Sequence, residues 1–335
     1  MALSIASRRY LGNKASIAPW IVERTVHHLG HWPRSILDVF AGTGSVAWAF
    51  NRPDTHVLAN DLLYSNYVCL EAWLGTKSWR RSDVERWIEE LNHRRADDEN
   101  YVSEAFGDRY WSRDVARRIG AVREAIETLP ATPAERCVLL AALLYAADRV
   151  ANTCGHYDAW RRRSEESRTG LELRVPDIDP AANVGNQVFC QDGNRLGAAV
   201  EAEVAYIDPP YNSRQYSDTY HVLENLARWE KPPLFGVARK MDRRELKSRY
   251  CTIEAEAAFS ELVESLQTRL IVVSYNNMGT RGDPRSNARI SDETIRRVLA
   301  RRGPVVVEDR DFRAFTTGKR FLDGHQERLF ICRTG

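Results

Sequence analysis

The chain has 335 residues, of which 43% are hydrophobic and 28% are charged, a composition typical of a globular protein with one large domain or a core with an inserted lobe. No stretch approaches the ~20 apolar residues of a membrane span, and the N-terminus lacks the apolar core of a signal peptide. Six scattered cysteines form no CxxC pair, so we expect a reduced, cytoplasmic protein without structural metal. A net charge of +2 permits nucleic-acid binding without requiring it.

The first clear pattern is a strand predicted over Ser35–Phe40, followed by a glycine-rich turn over 41–45 and a helix over Val46–Phe50. Glycines let the backbone pass close to a ligand, and the helix N-terminus offers unpaired N–H groups. The turn lacks both the third glycine of a dinucleotide site and the lysine of a phosphate-binding loop. Asp38 would also repel a pyrophosphate, so the pattern favours a ligand with a cationic amine.

The next predicted strand, His56–Asn60, leads directly into Asp61. This acid follows Gly42 by 19 positions, close to the spacing at which a carboxylate meets ribose hydroxyls in nucleotide-binding βαβ units. The alternative is an ordinary helix N-cap. The glycine turn before it makes ribose binding the stronger hypothesis.

From about Ser82 to Arg163 the pattern is helical and rich in Trp and Arg, with its clearest helix over Ala134–Val150. Strands are predicted again further along the chain. The sequence thus predicts an α/β fold: a mostly parallel seven-stranded sheet over 1–75 and 185–335, interrupted by a helical insert at 76–184. The later strands are predicted over Gln187–Cys190, Val204–Ile207, Leu270–Ser274, Pro304–Glu308 and Leu329–Cys332.

The tetrapeptide Asp208-Pro209-Pro210-Tyr211 follows the buried strand Val204–Ile207. Two prolines end that strand, because proline lacks an N–H and fixes its own φ. An acid, a rigid turn and an aromatic ring are therefore held at the carboxyl edge of the sheet, where ligands bind in open α/β folds. The carboxylate and the proline carbonyls can accept hydrogen bonds from a flat amino group while the ring stacks on its plane, as an extruded nucleobase requires. An ordinary Pro-Pro turn is the alternative.

Six segments carry a family resemblance when they are taken together and in order. They are Arg9–Lys14, Asp38–Ser45, Asn60-Asp61, Phe189–Asp192, Asp208–Tyr211 and Ser274-Tyr275-Asn276. In this order the chain resembles the Dam-like, alpha-group DNA adenine-specific N6 methyltransferases. The segment Ala151–Tyr157 is similar to one in a subgroup of restriction–modification enzymes.

The resemblance implies a Rossmann-like core that binds S-adenosyl-L-methionine, flips adenine out of duplex DNA and needs no metal. Asp208 and the Pro209 carbonyl would accept hydrogen bonds from the amine, and Tyr211 would stack on the base. Lys14 would pair with the carboxylate of the cofactor, and Asp192 could face its adenine unless it is a turn residue. The implied catalytic residues are Asp208, Pro209, Pro210 and Tyr211; the implied cofactor residues are Tyr10, Gly12, Lys14, Asp38, Phe40, Gly42, Gly44, Asp61 and Asp192.

Double-stranded DNA is the expected partner, and a restriction–modification enzyme can also have a cognate endonuclease. Sequence choice is assigned to the insert, where arginines 161–163 adjoin aromatic residues. The segment 228–249 has a net charge of +5 and could hold phosphates through a loop; solvated helices explain both regions equally well. The predicted DNA-contacting residues are Asn212, Arg214, Arg161, Arg162, Arg243, Arg244 and Lys247.

Three other interpretations compete with this one. A methyltransferase acting on RNA adenine, cytosine N4 or protein glutamine is the nearest, although the last two typically carry Ser or Asn where this chain has Asp208. A non-catalytic DNA-binding module is more distant, since Asp208 and Lys14 are intact. The triplet His325-Gln326-Glu327 matches half of a zinc deaminase signature, but no P-C-x-x-C follows it, so that interpretation is rejected.

Overall fold

A computed structural model describes residues 2–160, 170–210, 213–276, 290–311 and 326–335. Its strands form one seven-stranded sheet of order β3-β2-β1-β4-β5-β7-β6, in which β7 runs antiparallel to β5 and β6 and the other pairs are parallel. The predicted α/β fold class is confirmed. The strands are β1 Ser35–Asp38, β2 His56–Asn60, β3 Gln187–Phe189, β4 Val204–Ile207, β5 Leu270–Asn276, β6 Val305–Asp311 and β7 Gln326–Arg333.

The helices agree with the predicted pattern, and no strand lies within the described part of 82–163. The predicted helix Ala134–Val150 begins one residue earlier, because Pro133 supplies a preset φ at its first position. Thr132 and Glu135 close this end with a capping box. The helices are α1 Ala18–Leu29, α2 Ser45–Phe50, α3 Tyr64–Leu70, α4 Arg81–His93, α5 Tyr101–Phe106, α6 Arg113–Thr128, α7 Pro133–Val150, α8 Gly193–Ala199, α9 Tyr216–Thr219, α10 His221–Arg228, α11 Ala255–Ser265 and α12 Asp292–Ala300.

The chain divides into two compact units. The helical unit comprises 1–11, 63–180 and 216–245, and contains α3–α7, α9 and α10. The sheet unit comprises 12–62, 181–215 and 246–335, and contains the whole sheet with α1, α2, α8, α11 and α12. The assignment of 76–184 as a target-recognition insert concerns function and stays a prediction. None of the helices described is both long and apolar enough to cross a membrane.

The core of the sheet unit forms where α11 packs on one face of the sheet. Phe259 and Leu262 of α11 are fully buried and belong to one apolar cluster with Ile271 and Phe330 from the strands. A phenyl ring and a branched aliphatic side chain each remove a large apolar area from water, so this cluster contributes strongly to the stability of the unit.

We predict that Phe259→Ala destabilises the sheet unit by about 3–5 kcal/mol, because the lost ring leaves a cavity that the packed strands cannot fill. Denaturant titration followed by circular dichroism measures this change. The matched control is Ile253→Ala, where an 81% exposed side chain is truncated and a change within about 0.5 kcal/mol is expected. Equal effects of the two substitutions would contradict the assigned core.

Candidate active site

Polar side chains gather where the direction of the strand order reverses. From β1 the chain proceeds outward through β2 and β3, and then returns to pair β4 against the other side of β1. Asp38 is the last residue of β1 and lies opposite Tyr206, two positions before Asp208. The carboxyl edge at such a reversal is the usual ligand site of an open α/β sheet. Asp38 and Asp208 therefore lie at the same edge of the sheet.

The glycine turn after β1 is held in a left-handed backbone conformation. Gly42 and Gly44 have φ values of 55° and 79°, which side chains with a Cβ rarely adopt. The Gly42 N–H donates to Asp61 Oδ2 at 3.0 Å, so the acid that follows β2 fixes the turn that follows β1. Asp61 is not the N-cap of α3, because α3 is preceded by Leu63, whose side chain makes no capping bond. Ribose binding by Asp61 stays a prediction.

Asp38 is a buried acid with an unused hydrogen-bonding atom. Its side chain is only 1% exposed, and its Oδ1 atom has no hydrogen-bond partner among the described residues. Burial raises the pKa of Asp38 well above its usual range, and the nearby Asp208 raises it further. A carboxyl group in this state is costly unless a ligand compensates for it. A cationic amine would do so, because it would pair with the charged form of the carboxylate.

Lys14 lies against the predicted catalytic acid. Its Nζ atom is 2.9 Å from Asp208 Oδ2 and donates to the Gly12 carbonyl at 3.3 Å. The lysine side chain is 4% exposed and that of Asp208 14% exposed, so water screens this ion pair weakly. The structure thus gives Lys14 a partner that sequence reasoning did not consider. The predicted contact between Lys14 and the carboxylate of a cofactor stays a prediction.

Asp208 has two oxygen atoms in different situations. Oδ2 is bound by Lys14, whereas Oδ1 is buried and has no hydrogen-bond partner in the part of the chain that the structure describes. Burial raises the pKa of Asp208 to about 6, while the Lys14 ammonium opposes that rise. The Lys14 ammonium therefore favours the ionised form of Asp208. This acid presents one free acceptor atom at the edge of the sheet, as the grip on a flat amine requires.

Glu327 and Ser274 complete the ion-pair network, and sequence reasoning missed this role for both. Glu327 Oε1 lies 3.6 Å from Lys14 Nζ and accepts a hydrogen bond of 2.7 Å from Ser274 Oγ. The predicted last strand began at Leu329, two residues too late to include this acid. The sequence did contain an indication of this role. Glu327 lies two positions before the apolar run Leu329–Cys332, so in a strand its side chain is on the same face as the buried Leu329.

Asp192 has a structural role in addition to the predicted one. Its Oδ1 atom accepts the N–H groups of Asn194 and Arg195 at 3.0 and 3.2 Å, and so caps α8. The interpretation as a turn residue is thereby supported, and an adenine contact stays a prediction. Phe40 is half-buried, and the edge of its ring packs against Tyr250 at a centroid distance of 4.9 Å.

Tyr10 belongs to an aromatic cluster in the helical unit. Its ring stacks on Tyr220 at 4.4 Å, and its hydroxyl accepts a hydrogen bond of 3.0 Å from Asn66. The hydroxyl of Tyr220 accepts the Leu11 N–H at 2.7 Å, while Tyr216 donates to the Leu11 carbonyl at 3.2 Å. Tyr220 is fully buried, so its ring is part of the packed interior of this unit. Cofactor contact by Tyr10 and by Gly12, whose φ is 79°, stays a prediction.

The basic segment 228–249 is mostly an irregular loop, so its interpretation as a surface helix was wrong. Many of its charges are already paired. Arg243 lies 2.7 Å from Asp218, and Arg244 lies 2.6 Å from Asp242. Lys247 is exposed, and no ion pair is found for it within the part of the chain that the structure covers.

Three further predicted residues lie next to or after the strand β4. Pro209 is buried, Pro210 is half-buried and Arg214 is exposed. No group of three potential metal ligands occurs among the residues with described positions. The predicted contacts of Tyr211, Asn212, Arg161 and Arg162 lie outside the described residues.

Comparison with known proteins gives one consistent family. The family model of D12 class N6 adenine-specific DNA methyltransferases matches residues 10–278. The modification methylase StsI of Streptococcus sanguinis is 32% identical over 87% of this chain and 46% of its own length, and LlaI of Lactococcus lactis subsp. lactis is 32% identical over 96% and 53%. The type II methyltransferase M.NlaIII of Neisseria lactamica is 29% identical over 92% and 93%.

This chain thus spans about half the length of StsI and LlaI, and most of the length of M.NlaIII. The family match begins at the N-terminal segment that carries Lys14 and extends past Asp208 and Ser274. It therefore covers much of the network seen at the sheet edge. The chain belongs to the D12 class of N6 adenine-specific DNA methyltransferases.

Proposed function

We propose that this protein transfers a methyl group from S-adenosyl-L-methionine to the N6 amino group of adenine in a specific double-stranded DNA sequence. Its family membership supports the reaction class. The observation that carries the proposal is the state of Asp208, which has one oxygen bound by Lys14 and the other buried without a hydrogen-bond partner among the residues that the structure covers. Such an acceptor suits a ligand with a flat amino group.

The residues at the sheet edge fit S-adenosyl-L-methionine as the methyl donor. The unpaired Oδ1 atom of Asp38 suits the ammonium of its amino-acid part. The glycine turn allows close approach of the backbone, and Asp61 follows at ribose spacing. When bound, this cofactor supplies an electrophilic methyl group on a sulfonium. Asp38, Asp61 and Asp208 also make the surroundings negative, which favours a cationic ligand.

Asp208 orients the target amine in the proposed mechanism. The Oδ1 atom accepts a hydrogen bond from the N6 amino group, and the Pro209 carbonyl accepts the other N–H. These two bonds draw the nitrogen towards tetrahedral geometry and aim its lone pair at the methyl group. Positioning of this kind supplies most of the rate enhancement, so no strong base is required for transfer. The proton released afterwards can pass to Asp208 Oδ1, since the pKa of that acid is raised to about 6.

Adenine can reach this acid only after extrusion from the duplex, at a cost of a few kcal/mol of unstacking and unpairing. Stacking by Tyr211 would offset part of that cost. Base flipping, the role of Tyr211 and target recognition by the 76–184 insert are parts of the proposal. They are supported by the family and by the order of the sequence segments.

We predict that cofactor binding depends on Asp61 and Asp38. Asp61→Ala removes the acceptor that fixes Gly42, and Asp38→Asn removes the charge offered to the ammonium. Loss of one charge-assisted hydrogen bond corresponds to roughly 10-fold weaker binding or more. Titration calorimetry with S-adenosyl-L-methionine is the measurement, and the exposed Asp54→Ala is the matched control. Unchanged affinity in Asp61→Ala, or binding of a nicotinamide dinucleotide instead, would contradict the assignment.

We predict that Asp208→Ala abolishes methyl transfer while cofactor binding survives, because Asp208 is assigned to the target amine. Incorporation of tritiated methyl groups into DNA is measured beside calorimetric affinity. Glu203→Ala is a control, because this acid lies at the opposite end of β4. Transfer by the Asp208 variant at a rate near wild type would show that the catalytic assignment is wrong.

We predict that different segments of the chain recognise the DNA sequence and contact its phosphates. The insert 76–184 is expected to choose the sequence, and the segment 228–249 to hold part of the phosphate backbone. Combined neutralisation of Arg243, Arg244 and Lys247 should weaken binding to all DNA sequences alike and reduce the salt dependence, because phosphate contacts carry no sequence information. Lys247 should contribute most, since the two arginines are paired with Asp218 and Asp242. Binding is measured over a salt series on several duplexes, and methylated sites are mapped in DNA. A changed site preference in this variant, or unchanged sites after replacement of the insert, would refute the division.

A further inference from the structure

We propose that Glu327, fixed by Ser274, is a positioning residue that holds the Lys14 ammonium against Asp208, and thereby sets the direction in which Asp208 presents its free oxygen. This inference rests on the proposed function, because Asp208 is taken to grip the target amine. Glu327 does not touch the substrate in this scheme. It acts through Lys14.

The position of Glu327 in the sheet makes this role possible. β5 lies between β4 and β7, and Val273 pairs with Ile207, the residue before Asp208. Ser274 is therefore level with Asp208 on the neighbouring strand. Its hydroxyl donates to Glu327 Oε1 at 2.7 Å. Asp208, which directly follows β4, and Glu327 of β7 therefore belong to the two segments next to β5, the strand that carries Ser274.

The Lys14 ammonium bridges the two acids. Its Nζ atom is 2.9 Å from Asp208 and 3.6 Å from Glu327, and the Gly12 carbonyl lies at 3.3 Å. A lysine ammonium on a flexible stem is a mobile point charge, so oxygens of several residues are needed to fix its position. Without Glu327 the ammonium could approach Asp208 in more than one orientation. The orientation of the Asp208 carboxylate would then be less well defined.

A buried glutamate at this place requires an explanation. Glu327 is fully buried, and within the described ranges its Oε2 atom has no hydrogen-bond partner, so this residue contributes little to stability by itself. Glutamine would keep the bond to Ser274 without the charge. The negative charge itself must therefore serve the site, and Lys14 is the cation against which it lies.

The same charge sets the basicity of Asp208. The groups that face Asp208 are Lys14, Glu327, Asp38 and the neutral hydroxyl of Tyr206. Glu327 raises the pKa of Asp208, whereas Lys14 lowers it. A carboxylate with a raised pKa is a stronger hydrogen-bond acceptor for an amine, and it can also take up the released proton. Glu327 therefore supports both the position and the basicity of the catalytic acid.

The test compares Glu327→Gln with wild type and with Glu308→Gln, a matched control on the neighbouring strand whose carboxylate pairs with Arg24 and His28. We expect Glu327→Gln to lower kcat roughly 10- to 100-fold through misplacement of the acceptor, with KM for DNA and cofactor affinity nearly unchanged. Glu327→Asp should restore part of kcat. Equal losses in Glu327→Gln and Glu308→Gln, or a loss confined to KM, would overturn the proposal.

A pH profile separates positioning from simple destabilisation. Asp208 must be ionised to accept the amine, so kcat should fall as the pH drops through its pKa. Glu327→Gln removes a charge that raises this pKa, so the acid limb should move to lower pH; Lys14→Met should move it to higher pH. An acid limb that stays in place in Glu327→Gln refutes the electrostatic role.

The pKa of Asp208 can also be measured without turnover, by carbon-13 NMR on protein with labelled aspartate. A lower pKa in Glu327→Gln supports the inference even if wild type methylates no adenine, an outcome that would refute only the proposed function. If Glu327→Gln does not fold, Ser274→Ala removes the hydroxyl alone and should reduce kcat in the same direction. Wild-type kcat in a folded Ser274→Ala variant would remove Ser274 from the proposal.

Discussion

The site depends on one electrostatic constraint, which is the crowding of carboxyl groups at one edge of a parallel sheet. Asp38 and Asp208 are brought together because β1 and β4 are neighbours and both end there. Asp208 raises the cost of ionising Asp38, and burial raises that cost for both acids. Such a cluster is stable only with positive charge nearby. Lys14 supplies that charge on the Asp208 side, and a cationic ligand is proposed to supply it on the Asp38 side.

This arrangement explains why an N-terminal segment, far from the tetrapeptide in sequence, belongs to the site. Asn13 accepts hydrogen bonds from Ser45 Oγ at 3.0 Å and from the Ala15 N–H at 2.9 Å, so its side chain links this segment to the start of α2. The following residue is Lys14. The contact that fixes the lysine backbone therefore involves the same glycine turn that is proposed to meet the cofactor. Movement of that turn would therefore change the position of Lys14 relative to Asp208.

Much of this could be predicted from sequence, because strand periodicity and proline or glycine boundaries are local signals. The strands His56–Asn60 and Val204–Ile207 were predicted to the residue, and their order along the chain indicated a parallel sheet. The positions of Asp38 and Asp208 at one edge then followed from topology. These inferences need only the pattern of apolar residues and the rule that parallel strands end together.

The partners of charged side chains could not be predicted, because they depend on distances between remote segments. Lys14 reaches Asp208 across 194 positions of sequence, and no periodic pattern encodes that contact. The basic segment 228–249, with its net charge of +5, illustrates the opposite error. Counting its charges suggested a free basic surface, yet Arg243 pairs with Asp218, and Lys240 contacts both Asp218 and Asp158. Net charge in a sequence window measures composition, whereas available charge depends on the fold.

The pairing of Asp38 and Asp208 also links the two proposed ligands of the site. Burial and the nearby Asp208 both raise the pKa of Asp38, so the charged form of Asp38 is costly by itself. An ammonium at its Oδ1 atom would stabilise the Asp38 carboxylate and offset its repulsion of Asp208. The proposed methyl donor would in this way lower the cost of keeping Asp208 ionised, and Asp208 is the proposed acceptor for the target amine.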